Sequence, residues 1–357
     1  MVNQFRLSRL PIIYFGNGKI TDLTAIAERF GKSVLLVTGD RSFTDTPQAE
    51  SLFERFGKQK FNYQHLAVRT EPSPGLVNEA VARYGKEKID VVISIGGGSV
   101  IDAGKAISAM INKKESVEEY LEVVGTREHP GTKVPFIAIP TTSGTGSEAT
   151  KNAVITKVGT AGYKRSLRHD NLVPDVALID PGLTAGCPPD ITAAAGMDCF
   201  TQLTEAYLSA GSNEFTDALA TEGFKAVKRS LYTCYIHGED INARADMSFA
   251  ALISGICLAN AGLGAVHGMA GAIGGLFGIP HGLICGTLMA AVNKVNVMEL
   301  RKINPDHPAL KKYATLGRIF SESERKNDDF YTDSFIDILR KMTDDLNIPG
   351  LGSYGLK

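Results

Sequence analysis

Several things are missing from this 357-residue sequence, and each absence removes a class of function. Charge of one sign is not in excess: 38 Lys and Arg face 39 Asp and Glu, a formal net charge of −1. That balance leaves no electrostatic footprint for nucleic acid or an anionic membrane surface. The opening Met1-Val2-Asn3-Gln4-Phe5-Arg6 lacks a basic region, an apolar stretch and a small-residue cleavage site, so no export signal is read there. The five cysteines (Cys187, Cys199, Cys234, Cys257, Cys285) are odd in number and show no CxxC spacing, which argues against a disulfide framework and for a reducing cytoplasm. Internal repeats and low-complexity tracts are absent. Hydrophobic residues at 43% and charged residues at 22% place the chain among ordinary globular enzymes rather than disordered proteins.

One further absence is local. No Lys, Arg, Asp or Glu occurs between Asp246 and Lys294, a run longer than the ~20 apolar residues that cross a bilayer. The run nevertheless contains ten glycines, two histidines and the breaker Gly278-Ile279-Pro280-His281-Gly282, and lacks the basic or aromatic flanks that anchor a span. Buried helices of a globular domain, with no membrane partner, are the expectation.

At roughly 100–200 residues per domain, the length predicts two or three domains. From about residue 30 to 180, short β-branched runs alternate with helix-length segments, the pattern of βαβ units on a parallel sheet. Residues 34–38, 91–95, 134–139 and 176–180 are nearly continuous apolar runs, as strands covered on both faces require. Beyond Pro181 the texture turns to Ala-rich and Leu-rich segments with helical spacing, such as 190–209, 215–235 and 241–260. The Pro188-Pro189 pair marks a plausible boundary, because proline favours extended backbone before it and can open a helix. The reading is an α/β N-terminal domain with a parallel sheet over 1–186 and an all-α domain over 187–357.

The strand at 91–95 runs directly into Gly96-Gly97-Gly98-Ser99 and then Asp102. A glycine turn lets backbone approach a phosphate, and the uncapped N–H groups at the helix start face the anion. Many βα turns need glycine and bind nothing, so this turn gains weight only beside a second strand exit. That exit is Thr141-Thr142-Ser143-Gly144-Thr145-Gly146-Ser147, crowded with hydroxyls suited to a diphosphate or ribose. Two such loops at the carboxyl ends of strands favour a nucleotide crevice. In the helical half, Asp198 and Gln202 are four apart and share a helix face. His267 and His281 both lie in the uncharged run. A divalent ion held by Asp198, His267 and His281 would satisfy one carboxylate and two imidazoles with a position left open. Taken singly, each histidine is also explained as a hydrogen-bonded core residue, and Asp198 as a helix-start acid.

These residues carry a resemblance. Gly96-Gly97-Gly98-Ser99 with Asp102, the 141–148 loop, Pro174-Asp175 through Asp180-Pro181, Gly196-Met197-Asp198, Val266-His267-Gly268 and Pro280-His281-Gly282 stand in the order and spacing of the iron-containing (group III) alcohol dehydrogenases, within the dehydroquinate-synthase-like superfamily. The similarity runs from about residue 10 to 350. It implies that the α/β N-terminal domain with its parallel sheet is dinucleotide-binding and the all-α C-terminal domain metal-binding, with NAD or NADP and a divalent metal, Fe²⁺ first and Zn²⁺ second, acting on a small alcohol or aldehyde in a homodimer or larger assembly. Carried over by position, Gly97, Gly98, Ser99 and Asp102 resemble the diphosphate loop, and Thr141, Thr142 and Thr145 the second cofactor loop. Lys164, Leu183 and Asp40 match positions beside the cofactor, and Asp198, His267 and His281 match metal ligands.

The departures from the family pattern are informative. Gln202 stands where the family usually has a ligating histidine, which leaves it as either a weak fourth ligand through its amide oxygen or a residue bonded to metal-bound water. Gly271 stands where many members have a histidine near the nicotinamide. After Thr38, the sequence Gly39-Asp40-Arg41 replaces the aspartate that NAD-preferring members place directly behind the threonine, so either NAD or NADP is compatible. The family also continues for a helix or so beyond the point matching Lys357. The resemblance implies a metal-dependent NAD(P) oxidoreductase. Two alternatives are a dehydroquinate-synthase-like lyase, for which the 247–293 run supplies no Lys or Arg to hold a phosphorylated substrate, and a cofactor-binding protein without catalysis. Phe200, Leu263, Phe277 and Ile279 suggest an apolar lining for a short, weakly polar carbonyl compound.

Overall fold

The structure, a computed structural model, describes residues 4–356. It divides into two compact units, one comprising 7–142 with 146–187 and the other 188–356 with the short segments 4–6 and 143–145.

The first unit is built on β1 (Ile12–Phe15), β2 (Ser33–Gly39), β3 (Asn62–Val68), β4 (Val91–Gly96), β5 (Phe136–Pro140), β6 (Asn152–Lys157), β7 (Tyr163–Arg168) and β8 (Val176–Ile179), with α1 (Leu23–Glu28), α2 (Pro47–Lys58), α3 (Pro74–Tyr84) and α4 (Gly98–Met110) between them. Six strands form one parallel sheet in the order β1-β8-β5-β4-β2-β3. The sheet is apolar on both faces: Leu35, Val37, Val92 and Phe136 belong to one core, and Val34, Leu36, Ile93 and Ile137 to the other. The four apolar runs expected to be strands are β2, β4, β5 and β8, with β5 starting two residues later and ending one later than expected and β8 ending one residue earlier. Features the runs did not announce are the two edge strands β1 and β3 and the antiparallel pair β6–β7. From β2 the chain crosses outward to β3, and from β4 it proceeds the other way to β5. The order therefore reverses between β2 and β4, whose carboxyl ends are Gly39 and Gly96. In open α/β sheets this reversal opens a crevice for ligands.

The second unit is helical: α5 (Pro189–Leu208), α6 (Glu214–Ile236), α7 (Ile241–Ala261), α8 (Ala265–Phe277), α9 (His281–Ile303), α10 (Pro308–Phe320) and α11 (Asp328–Asp345). Its core is centred on Phe200, which packs on Phe224, Phe320 and Phe335 with ring centroids 4.8–6.1 Å apart. Phe200 is thus a core residue rather than a substrate-lining one, and Ile279 is likewise buried, in a small cluster with Val266 and Ile284. Helices α7 and α9 are long and apolar enough to cross a membrane by length and composition, yet 67% of the most apolar stretch of α7 is buried by its neighbours. That makes α7 a core helix.

Two glycines on α9 decide where its first turns lie. A Cβ on Gly282 would run into the Ala194 carbonyl of α5, and one on Gly286 would stand 3.1 Å from Met197 Cβ. With hydrogen in their place, the backbone of α9 rests on α5 one turn ahead of Asp198. His281 is thereby carried to the same height as that carboxylate.

Candidate functional site

The cluster in the helical unit is assembled from three helices. Asp198 sits mid-way along α5, His267 in the first turn of α8 and His281 at the first position of α9. Helix α8 is preceded by Gly264, which supplies no side-chain cap. The cap comes instead from Glu205, seven residues after Asp198 on α5, whose carboxylate accepts the Val266 N–H at 2.7 Å and the His267 N–H at 3.3 Å. A Cβ on Gly264 would stand 2.8 Å from Glu205 Oε1, so glycine is what admits the carboxylate. The same carboxylate lies 2.7 Å from His267 Nδ1. Placing the ring proton on Nδ1 satisfies that contact and leaves Nε2 with its lone pair facing Asp198.

The three sequence-expected residues do come together. Asp198 Oδ1 lies 3.4 Å from His267 Nε2 and 3.7 Å from His281 Nε2. Among the described residues, Asp198 Oδ1 is buried without a hydrogen-bond partner. Burial alone would raise the Asp198 carboxyl, but the neighbouring His281 and His267 hold it down at about 2. Burial likewise opposes protonation of His267, and the surrounding Cys285, Asp198 and Glu205 outweigh it and raise its pKa, so that Nε2 would carry a proton toward Asp198 unless a cation took that proton's place. A buried, ionised carboxylate oxygen with no donor is costly on its own account. A bound cation would offset that cost.

Two residues near the cluster were not anticipated from the sequence. Glu205 is one; its signal was its place on the same α5 face as Asp198 and Gln202. Cys285 is the other, one helical turn after His281, with Sγ 3.7 Å from His281 Nε2 and 3.8 Å from His267 Nε2. One donor atom from each of Asp198, His267, His281 and Cys285 fits within a 4.8 Å span. Gln202 is buried beside them, with Nε2 3.5 Å from Asp198 Oδ2 and Oε1 3.1 Å from Ser254 Oγ.

In the sheet-bearing unit, β4 ends at Gly96, where a Cβ would stand 2.6 Å from Val100. Gly97 then precedes α4 in extended conformation and offers no side-chain cap. Gly97, Gly98 and Ser99 are all partly exposed, leaving the helix start open to an anion. Thr141 N–H donates to the Gly96 carbonyl at 2.9 Å, so the two strand-exit loops are tied together, with Thr142 within 3.4 Å of a Cβ placed on Gly97. Thr145 falls in the 143–145 segment that clusters with the helical unit, where Ser143 Oγ lies 3.2 Å from Ser248 Oγ of α7.

Asp102 faces inward. One carboxylate oxygen accepts from Ser147 Oγ and the other from Val154 N–H at 3.1 Å, so it braces the second loop and β6. Buried Lys105 does the same, donating to the carbonyls of Ser147, Thr150 and Asn152 at 2.7, 3.0 and 2.8 Å. Lys164 Nζ pairs with Glu71 at 2.7 Å, and Leu183 packs against the core under the sheet. At the end of β2, Asp40 pairs with Arg69 at 2.8 Å and Arg41 with Asp45 at 2.7 Å. Both ion pairs are exposed.

Comparison with known proteins agrees with this arrangement. The profile for "Iron-containing alcohol dehydrogenase" matches residues 11–181, and that for "Fe-containing alcohol dehydrogenase family, C-terminal" matches 192–357. The chain belongs to the iron-containing alcohol dehydrogenase family. It is 35% identical over 274 residues to Long-chain-alcohol dehydrogenase 1 of Geobacillus thermodenitrificans, covering 76% of this chain and 68% of that one. Its fold superposes on a solved 1,3-propanediol oxidoreductase with a TM-score of 0.88 at 28% identity, over 99% of this chain and 90% of the other. A sulfoacetaldehyde reductase from Bifidobacterium kashiwanohense, solved in complex with NAD⁺, matches with a TM-score of 0.85 at 25% identity, over 99% and 89% of the two chains. The chain is accordingly an oxidoreductase of the alcohol dehydrogenase class in a family dependent on NAD(P) and metal, and a lyase reading is not favoured.

Proposed function

We propose that this chain interconverts a small alcohol and its aldehyde or ketone, using NAD or NADP and one divalent ion, Fe²⁺ or Zn²⁺, held by Asp198, His267 and His281. The observation that carries the reading is the buried Asp198 Oδ1, which has no hydrogen-bond donor and faces two imidazole nitrogens 3.4 and 3.7 Å away. About 3.3–3.8 Å is the separation between neighbouring donors of one tetrahedral ion with nitrogen, oxygen or sulfur ligands. When bound, such an ion supplies Lewis acidity toward a substrate oxygen. The residues of the chain do the positioning. Glu205 fixes the tautomer of His267, Gln202 holds Asp198 from behind, and the packing of Gly282 on α5 sets the height of His281.

Cofactor binding is assigned to Gly97, Gly98 and Ser99 at the start of α4 and to Thr141, Thr142 and Thr145, with Lys164, Leu183 and Asp40 alongside. Asp102 supports the second loop from behind. The position of the β2/β4 reversal supports this assignment. Hydride transfer belongs to the nicotinamide, and the protein's part is to orient it. The chain is read as cytoplasmic. Self-association is proposed through β1, an edge strand that exposes Ile12, Ile13 and Phe15.

The test is to supply NADH or NADPH and a panel of small aldehydes and ketones to protein loaded with Fe²⁺, Zn²⁺ or no metal. Metal-dependent oxidation of one reduced cofactor is expected. His281→Ala is expected to lose metal and turnover together, and stoichiometric metal in that variant would overturn the ligand assignment.

A further inference from the structure

We propose that Cys285 is the fourth protein donor to this ion, taking the coordination role that the family resemblance would have placed at position 202. The inference rests on the metal reading above and adds to it a ligand of different charge and softness.

The sulfur is in the right place. Cys285 Sγ lies 3.7 Å from His281 Nε2 and 3.8 Å from His267 Nε2. Those separations are long for hydrogen bonds that hold a buried thiol. They match the separation between a sulfur bound at about 2.3 Å and a nitrogen bound at about 2.0–2.1 Å to one tetrahedral ion. His281 and Cys285 are one turn apart on α9, so the helix presents both toward Asp198 on α5. The buried Asp198 Oδ1 lies within the same 4.8 Å donor span as the sulfur.

Gln202 is meanwhile occupied elsewhere. Its amide nitrogen is turned to Asp198 Oδ2 at 3.5 Å, and its oxygen, the only atom that could ligate, lies 3.1 Å from Ser254 Oγ. That hydroxyl also contacts the Ala251 carbonyl at 2.8 Å, so Gln202 is seated against the backbone of α7. The glutamine orients the carboxylate, and the cysteine supplies the donor.

Two anionic ligands against a divalent ion make a formally neutral centre, where one carboxylate and three imidazoles leave a charge of +1. A neutral centre is a weaker Lewis acid, and with four protein donors a substrate oxygen would enter as a fifth ligand. Thiolate also biases the site toward Zn²⁺, Co²⁺ and Fe²⁺ and away from Mn²⁺ and Mg²⁺.

The experiment uses the full chain stripped of metal and reloaded with Co²⁺. Wild type is expected to bind one Co²⁺ and show a thiolate-to-cobalt charge-transfer band in the near ultraviolet. Cys285→Ser should lose the band and bind Co²⁺ about tenfold or more weakly, whereas Cys187→Ser should keep both. Gln202→His combined with Cys285→Ser should regain affinity without regaining the band. One Co²⁺ bound to wild type with no band, or a band that survives Cys285→Ser, overturns the cysteine assignment and leaves the Asp198, His267 and His281 site standing. No metal bound by wild type overturns both. X-ray absorption on Zn²⁺-loaded wild type, which needs no variant to fold, is expected to show one sulfur at about 2.3 Å, and a shell of nitrogen and oxygen alone would overturn the proposal.

Discussion

At the residue scale, two buried carboxylates on different elements show how burial and neighbours set a charge in ways the linear sequence does not reveal. Glu205 has two tasks, capping α8 and holding His267 Nδ1. Glu205→Gln keeps the size but replaces a charged acceptor, and is expected to weaken metal binding by about 10- to 100-fold, measured by competition with a chelating dye. Glu148 behaves differently. It is wholly buried next to Lys105, and burial pushes its carboxyl up to about 7 while pushing the Lys105 ammonium down to about 8. A carboxyl raised on folding contributes stability below its ordinary value near 4.5 and loses that contribution as pH rises through about 7. Glu148→Gln, a mimic of the protonated form, should therefore match wild type near pH 4 and exceed it by up to about 3 kcal/mol at pH 8. Urea unfolding at the two pH values checks this. A gap of equal size at both would rule out burial of charge as its cause.

At the scale of elements, β2, β4, β5 and β8 were legible because strands covered on both faces must be apolar throughout. The strands that escaped notice lack that property. β1 is four residues long with three of them exposed, β3 is exposed or half-buried everywhere but Val68, and the two-stranded ribbon β6–β7 is rich in polar residues. The site divides similarly. Asp198, His267 and His281 stood out as polar residues in apolar surroundings, whereas a buried cysteine reads as core in any sequence, and Glu205 becomes informative only once α8 is known to begin beside it. Helix contact decides the rest of the geometry. Gly282→Ala must push α9 away from the Ala194 carbonyl and His281 away from Asp198. Metal affinity should fall by roughly tenfold or more while far-ultraviolet circular dichroism stays close to wild type. Unchanged affinity would show that the contact does not set the height of His281.

At the scale of the whole molecule, the proposed metal donors and nearly all the proposed nucleotide contacts belong to different compact units. Asp198, His267, His281 and Cys285 fall in the helical unit, and the loops at 96–102 and 141–142 in the sheet-bearing one. His281→Ala should accordingly leave NADH or NADPH affinity within a few-fold of wild type by calorimetry while abolishing metal uptake. Loss of both together would mean that the nucleotide contacts depend on the ion.

The confinement of every proposed donor to α5, α8 and α9 has a further thermodynamic consequence. A ligand that binds only folded protein adds RT ln(1 + [L]/Kd) to stability, about 2.7 kcal/mol when the free ion is at 100 times Kd. Here that increment accrues to one half of the chain. In scanning calorimetry of the full chain, titrating Zn²⁺ should move the transition of the helical half upward and leave that of the sheet-bearing half in place, so that metal supply sets which half melts first.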